Sequence, residues 1–146
     1  MTLRLTVVGG GPGGYEAAFA AARAGMQVTL VERDAMGGTC LNRGCIPTKS
    51  LKASSEALEI LRRHTEFGLA GTCDIHPDLN AIIARKDKIC ATLRGGLEKT
   101  CSQLGIQYIR GKGQIIRSGL VRVTAEDGTV SEVESDRIIL ASGSST

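Results

Sequence analysis

The chain of 146 residues has the length of one ordinary domain and is long enough to bury a core without staples. With 42% apolar and 23% charged residues, its composition is that of a globular protein and excludes a disordered tail, a collagen-like repeat and a coiled coil. A net charge of +3, from 18 basic and 15 acidic residues, is too balanced to predict binding to nucleic acid or to a membrane surface.

The N-terminal residues lack the charged lead, the long apolar stretch and the small-residue cleavage site of a secretory signal. No window of about 18 residues is both apolar and uncharged, as a membrane-spanning helix requires. These features predict a cytoplasmic protein that does not enter membranes. The five cysteines are an odd number without a secretory signal, which argues against a disulfide framework, and Cys73, Cys90 and Cys101 are interpreted as structural.

The first elements in the chain predict a strand–helix–strand unit. Residues 3–8 predict a buried strand, the alanine-rich residues 13–25 predict a tightly packed helix, and residues 26–32 predict a second strand. A βαβ unit of this kind has a right-handed crossover. A glycine-rich loop is expected over residues 35–42, and leucines at helical spacing predict a helix over residues 47–63.

The rest of the chain predicts one long helix and five strands. After a connector over residues 67–76, an apolar stripe predicts a helix over residues 78–104, in which Gly95 and Gly96 predict a bend or an early end. The apolar period then changes to two, which predicts strands over residues 106–109, 113–117, 120–125, 130–134 and 137–141. The chain is therefore predicted to be α/β, with a parallel sheet and a three-stranded antiparallel meander.

A glycine-rich turn follows the first strand. Gly9, Gly11 and Gly14 satisfy the G-x-G-x-x-G pattern, which permits a tight turn, backbone approach to a pyrophosphate and close helix–strand packing. Glu32 ends the second strand, near the position of an acid that binds ribose hydroxyls. The alternative is that the segment is only a glycine-rich turn and that Glu32 is only an exposed side chain. The preceding strand, the following helix and the acid at this spacing together disfavour that alternative. The acid predicts NAD or FAD rather than NADP, although the neighbouring Arg33 is a residue type that can bind a 2′-phosphate.

Cys40 and Cys45 form a second candidate site. They lie five residues apart around the predicted start of a helix, where a helix N-terminus, Arg43 and Lys49 would favour the thiolate. A redox dithiol and two unrelated buried cysteines are evenly balanced on this spacing alone. No metal site is predicted, because zinc ligands are usually spaced more closely and come with a second ligand pair.

The segment GGTCLNRGCIPTK, residues 37–49, resembles the class I pyridine nucleotide–disulfide oxidoreductases, which are FAD flavoproteins. With the glycine-rich turn, it makes residues 1–49 similar to the N-terminus of that family. The resemblance weakens over residues 50–110 and returns at 111–113 and 138–144, where Ser142 replaces a threonine of the family. Within the family, Leu41 and Ile46 resemble the dihydrolipoamide dehydrogenase group more than the glutathione and mercuric reductases.

The resemblance implies a Rossmann-like FAD-binding domain and a role for each matching residue. Cys40 and Cys45 would form the redox disulfide, with Cys45 exchanging electrons with the flavin and Cys40 attacking the disulfide substrate. Glu32 would hold the adenosine ribose. The other implied cofactor-binding residues are Gly9, Gly11, Pro12, Gly13, Gly14, Arg33, Gly38, Thr39, Lys49, Gly113, Ala141, Ser142 and Gly143.

The resemblance also implies that residues 1–146 are the N-terminal part of an FAD-binding domain, without the NAD and dimer-interface domains of the family. The parent reaction would convert dihydrolipoamide and NAD⁺ to lipoamide and NADH through the Cys40–Cys45 disulfide. The expected partners are a lipoyl-bearing protein or a small disulfide substrate and, for the full-length parent, a second copy. The chain itself is not expected to complete the reaction. The alternatives are an FAD- or ADP-binding module without turnover, a flavin-free thiol sensor, or another family member such as glutathione or mercuric reductase.

Overall fold

The computed structural model describes residues 2–72 and 74–144, so Cys73 lies outside the described residues. The elements follow in the order β1 (Arg4–Val8), α1 (Pro12–Arg23), β2 (Gln27–Glu32), α2 (Gly38–Asn42), α3 (Cys45–Arg62), a 3-10 turn (His64–Phe67), α4 (Leu79–Gln103), β3 (Gln107–Arg110), β4 (Lys112–Arg117), β5 (Leu120–Thr124), β6 (Val130–Glu134) and β7 (Arg137–Leu140). The predicted α/β class, with its strand–helix–strand start and its meander, is confirmed.

Four parallel strands form the central sheet, in the order β3-β2-β1-β7. In the register of this sheet, Val8 at the end of β1 lies beside Val31 of β2 and Leu140 of β7. The carboxyl ends of three strands therefore meet at one edge. In open α/β sheets this edge is where ligands bind, and it places the residues that follow each strand close together.

Two apolar clusters hold the fold. The larger lies between the central sheet, α1 and α4, and its buried members are Leu5, Val7, Ala18, Phe19, Val28, Leu30, Met36, Cys101 and Ile106. The alanines of α1 allow this helix to pack close to the sheet, because they add little bulk. The smaller cluster contains Val8, Val31, Val121 and Val123, and it joins the central sheet to the antiparallel β4-β5-β6 meander.

Three local features differ from the sequence-based expectations. The predicted loop over residues 35–42 contains α2, and α3 begins at Cys45 rather than at Pro47. Pro47 is tolerated there because the N–H groups of the first turn have no partner within the helix. The glycine pair does not end α4, which runs unbroken for 25 residues.

The apolar stripe predicted along α4 is only partly buried. Leu79 is 71% exposed and Ile83 is 45% exposed, while the fully buried residues of α4 are Cys90 and Cys101. The first part of the stripe, with Leu79 and Ile82, lines an open groove shared with α3, whereas Leu97 and Leu104 pack against the larger apolar cluster. Among the described residues, no helix combines the length and the apolar character needed to cross a membrane.

Candidate active site

A cavity of about 550 Å³ opens at the carboxyl edge of the central sheet. Its volume falls within the range of small-molecule sites. It is formed where the chain leaves β1, β2 and β7 and by the start of α2. It is lined by Gly11, Pro12, Gly13, Glu32, Arg33, Asp34, Ala35, Gly38, Thr39, Cys40, Asn42, Arg43, Ala141, Ser142, Gly143 and Ser144.

The glycines of the turn after β1 serve two different purposes. A Cβ added to Gly14 would lie 1.8 Å from the carbonyl oxygen of Gly9, and one added to Gly9 would lie 2.1 Å from the carbonyl oxygen of Ala141. The fold itself therefore requires both glycines. Gly11 has an ordinary φ of −74°, and the nearest neighbour of an added Cβ is the Cα of Gly38, at 3.8 Å. Its missing side chain leaves free space on the cavity wall.

This free space fits the close approach of a pyrophosphate. Gly11 precedes α1, which begins with Pro12, and the first turn of that helix carries Gly13 and Gly14. Backbone N–H groups at a helix N-terminus carry partial positive charge and bind phosphate oxygens. The residues at the N-terminus of α1 therefore fit the diphosphate of a dinucleotide such as FAD.

Glu32 is held in a fixed position at the end of β2. Its Oε2 accepts a hydrogen bond from the N–H of Gly10 (2.6 Å), and its Oε1 accepts one from the N–H of Asp34 (2.8 Å). A carboxylate has about four acceptor positions, so each oxygen retains one for a ligand hydroxyl. Glu32 also borders a second cavity, of about 280 Å³, together with Gly9, Arg33 and Gly113.

The loop before α2 packs on the glycine-rich turn. Gly37 has a φ of +97° and donates its N–H to the carbonyl oxygen of Gly10 (2.8 Å). A Cβ on Gly38 would lie 2.7 Å from the Cα of Gly11, so these two glycines are in close backbone contact. The contact brings Gly38, Thr39 and Cys40 to the wall of the first cavity.

Cys40 and Cys45 are neighbours across the junction of α2 and α3. Both are free thiols in this structure, with Cys40 half-buried and Cys45 exposed. A hydrogen bond to Cys45 raises the pKa of Cys40 above its usual value, partial burial adds to the rise, and the charge of Lys49 opposes it weakly. The two thiols are therefore adjacent, and neither of them is fully buried.

The predicted influence of Arg43 on the thiols is corrected. Its Nη2 pairs with Oδ2 of Asp34 (2.5 Å), and its side chain is 71% exposed. The guanidinium of Arg43 is thus paired with a carboxylate in solvent, which weakens its effect on the thiols. The thiolate at position 40 is disfavoured in the reduced pair rather than favoured.

The structure gathers most of the predicted site residues into these two cavities. Gly14 lies beneath the turn, and Cys45 and Lys49 lie on α3 beside Cys40. Asn42 also lines the first cavity, and its partner Arg94 on α4 donates to it (3.2 Å). Sequence reasoning missed both, because they are 52 residues apart and only the fold brings them together.

Among the described residues, His64, His76, Cys90 and Cys101 do not line either of these cavities. His64 bonds the carbonyl oxygens of Leu61 and Gly71, and His76 pairs with Asp74 in the connector. Burial raises the pKa of the Cys101 thiol, which packs in the larger apolar cluster. Within the described residues, no cluster of three or more His, Cys, Asp or Glu side chains is placed to hold a metal ion.

Fold and site together define an α/β protein with a parallel sheet, a glycine-rich turn at the cavity on its carboxyl edge, and a pair of adjacent thiols of which Cys40 lines that cavity. The family model described as "Pyridine nucleotide-disulphide oxidoreductase" matches residues 3–146. The chain belongs to this family, as the resemblance of its motifs implied.

Individual relatives agree with the family. The dihydrolipoyl dehydrogenase of Chlorobaculum parvum is 40% identical over 139 residues, which are 95% of this chain and 29% of that protein. The crystal structure of LpdA from Mycobacterium tuberculosis superposes with a TM-score of 0.89 and 33% identity, covering all of this chain and 32% of that one. The HOCl-induced flavoprotein disulfide reductase RclA from Escherichia coli gives a TM-score of 0.77 and 26% identity, covering all of this chain and 30% of that one. The chain thus spans about a third of the length of these relatives.

Proposed function

We propose that the chain is the FAD-binding and thiol-bearing part of a dithiol/disulfide oxidoreductase that acts on dihydrolipoyl groups. One observation carries the proposal: Cys40 lines the same cavity as Gly11 and Gly38. One thiol of the pair and the proposed pyrophosphate-binding turn can therefore contact the same ligand. The dihydrolipoyl dehydrogenase relative supports the choice of substrate.

The two cysteines carry the exchange with substrate. In the oxidised pair, a substrate thiolate attacks the sulfur of Cys40, forms a mixed disulfide and releases Cys45 as a thiolate. The second substrate thiol then attacks the mixed disulfide, which releases the substrate as a disulfide and leaves Cys40 as a thiol. Two electrons have passed from the substrate to the cysteines. The proton of the first substrate thiol was lost to solvent before its attack, and that of the second is on Cys40, which releases it when the pair is oxidised again.

The cofactor residues orient the electron acceptor. Gly9, Gly11 and Gly14 shape the pyrophosphate-binding turn, and Glu32 has acceptor positions for the adenosine ribose. FAD, when bound, supplies the two-electron acceptor that the dithiol needs, and NAD⁺ is the final acceptor proposed for the full-length parent. Lys49 and Gly38 are proposed to line the flavin end and Gly113 the adenine end. Thr39, Pro12, Gly13, Arg33, Ala141, Ser142 and Gly143 complete the proposed cofactor site.

A visible absorption spectrum tests the proposal. The purified chain is mixed with FAD, passed through gel filtration, and then treated with dithiothreitol. A retained flavin band that gains long-wavelength absorbance on reduction is the expected result, because the reduced Cys45 thiolate would be the residue that interacts with the flavin. A chain that keeps no flavin at micromolar concentration, or a flavin band unchanged by reduction, would overturn the proposal.

The variant Gly11→Val identifies the binding turn. Its side chain fills the free space at the cavity wall, so we expect FAD affinity to fall at least about tenfold while the far-UV spectrum is unchanged. The variant Gly95→Ala is the matched control, since an added Cβ there meets no described atom within 4 Å. Equal FAD affinity in Gly11→Val and the original chain would place the pyrophosphate elsewhere.

A binding module without turnover is the second candidate. It is favoured by the share of the relatives that this chain spans, 29% of the Chlorobaculum protein. Reduction of a Cys40–Cys45 disulfide by dihydrolipoamide, followed by thiol titration, separates the two candidates. A disulfide that stays intact in dihydrolipoamide would favour the module, and one that is reduced would exclude it.

A further inference from the structure

Asn42, the last residue of α2, donates hydrogen bonds to backbone carbonyl oxygens of the segment of residues 35–38. Its Nδ2 donates to the carbonyl oxygens of Gly38 (2.9 Å) and Met36 (3.0 Å), and that of Ala35 lies at 3.4 Å. An amide nitrogen carries two protons, so two strong bonds and one longer contact use its whole donor capacity. A single side chain thus fixes most of the loop that packs on the glycine-rich turn.

Arg94 fixes the orientation of that amide. Its Nη1 donates to Oδ1 of Asn42 (3.2 Å) from the half-buried face of α4. A guanidinium has donors only, so the oxygen of the amide must face Arg94 and the nitrogen must face the loop. Arg94 and Asn42 together form a clamp between α4 and the loop.

The clamp acts on only one of the two thiols. Cys40 belongs to α2, which starts directly after the clamped loop, whereas Cys45 is the first residue of the 18-residue helix α3. The position of Cys45 is therefore set by a long helix, and that of Cys40 by a five-residue helix that depends on its surroundings. Loosening the loop would move Cys40 relative to Cys45.

We propose that Asn42 and Arg94 are positioning residues that set the reduction potential of the Cys40–Cys45 pair. The inference rests on the proposed function in one respect, that the pair is redox-active. Oxidation joins the two sulfurs in one S–S bond and releases two electrons and two protons, which glutathione disulfide takes up as it becomes two glutathione thiols. A clamped loop holds Cys40 beside Cys45 and so lowers the entropy lost when that bond forms.

The test is the equilibrium of the pair with glutathione buffers in the variant Arg94→Met. We expect the equilibrium constant for disulfide formation to fall about tenfold, because the loop loses a charge-assisted hydrogen bond that fixes it and Cys40 is no longer held beside Cys45 in the reduced pair. Tenfold corresponds to a potential about 30 mV more oxidising for this two-electron couple. Trypsin cleaves after Arg43, between the cysteines, so mass spectrometry of the digest distinguishes linked from separate peptides.

Two further variants separate positioning from general stability. Asn42→Asp keeps an oxygen for Arg94 but removes the donor to the loop, and we expect a similar tenfold fall. Arg85→Met removes another arginine of α4, which donates to the carbonyl oxygen of Ser50 on α3 (3.1 Å), and it should leave the constant unchanged. Matching circular dichroism spectra establish that each variant is folded.

Two outcomes would overturn the inference in distinguishable ways. If the original pair oxidises and both clamp variants stay within twofold of it, the clamp has no positioning role and the proposed redox function stands. If the original pair forms no Cys40–Cys45 disulfide in any glutathione buffer, the proposed redox function fails and the inference fails with it.

Discussion

The Cys40 thiol retains its proton because it is hydrogen-bonded to Cys45, which lies five residues further along the chain. The hydrogen bond to Cys45 is the largest of the effects that raise the pKa of Cys40, ahead of partial burial. An ordinary thiol titrates near pH 8.5, and the thiolate is the nucleophile. Cys40 in the reduced pair is therefore a weaker nucleophile at neutral pH than an isolated exposed thiol, and it becomes reactive only as the pH rises through its raised pKa.

The variant Cys45→Ala removes this effect. We expect the alkylation rate of Cys40 by iodoacetamide, followed by peptide mass spectrometry, to reach its half-maximum at a lower pH in the variant than in the reduced original chain. Cys90→Ala, which changes a buried thiol of α4, is the control and should leave the profile unchanged. Identical profiles for Cys45→Ala and the original chain would show that the hydrogen bond does not control the titration of Cys40.

At the residue scale, the G-x-G-x-x-G pattern predicted different reasons for its glycines: backbone approach at Gly11 and close helix–strand packing at Gly14. The fold agrees with that distinction, because it excludes a side chain at Gly14 and leaves room for one at Gly11. The roles proposed for the site residues stay predictions until a ligand is tested. Asn42 and Arg94 were not predictable, because a hydrogen bond across 52 residues leaves no local pattern.

Among the elements, β1 and β7 are joined at their N-terminal ends by Asp136. Its Oδ2 accepts from the N–H of Arg4 (2.8 Å), and its own N–H donates to the carbonyl oxygen of Arg4 (2.9 Å). The bond from the Arg4 backbone is the main reason why the pKa of Asp136 lies below its usual value. Because the folded pKa is depressed, the charged form stabilises the fold above the unfolded pKa of about 3.9, and this contribution is lost as the pH falls through the lowered folded pKa.

The variant Asp136→Asn tests this coupling of the two strands. The amide oxygen can still accept from Arg4, but the charge is gone, so we expect a lower free energy of unfolding than in the original chain at about pH 7. The difference should shrink as the pH falls below about 4 and through the lowered folded pKa of Asp136, because the original carboxyl then becomes protonated as well. Urea unfolding at several pH values measures it, and a pH-independent difference would contradict the assignment.

The elements that sequence reasoning misjudged are the short and the glycine-containing helices. α2 has only five residues and follows Gly37, so local propensity favoured a loop, whereas packing of Leu41 and the bonds of Asn42 make it helical. Gly95 and Gly96 cost helix propensity in α4, yet contacts of that helix with α2, α3 and β3 outweigh the cost. The strands were predictable, because alternation and aliphatic runs extend over most of each one.

On the scale of the whole molecule, the central sheet and the meander meet at Gly113. A Cβ at this position would lie 2.9 Å from Cγ1 of Val8 and 3.3 Å from Cγ1 of Val31. Both valines are buried members of the smaller apolar cluster and are stiff at χ1, so they have little freedom to move aside. The junction of the two sheets therefore requires a residue without a side chain.

The variants Gly113→Ala and Gly95→Ala should have opposite effects on stability. We expect Gly113→Ala to lower the free energy of unfolding by about 1–3 kcal/mol through overpacking. Gly95→Ala lies in open space on α4 and should raise it by up to about 1 kcal/mol. Chemical denaturation measures both, and a neutral or stabilising Gly113→Ala would mean that the two sheets separate at little cost.

The strand order of the whole molecule was the least accessible to sequence reasoning. The strands were predicted in chain order, but the placement of β7 beside β1, across about 130 residues of chain, depends on tertiary packing. The edge at which β1, β2 and β7 end, and with it the convergence of the site, follows from that placement. The motifs identified the components of the site, and the sheet brings them together.

The position of Cys40 and Cys45 on adjacent helices bears on how far the oxidation state affects folding. A bond between them closes a ring of six residues. By the chain-entropy relation, so small a ring stabilises the folded state by about 2 kcal/mol, against nearly 5 kcal/mol for a ring of 100 residues. The bond can then open and close many times while the surrounding architecture persists, because neither oxidation state carries most of the folding free energy.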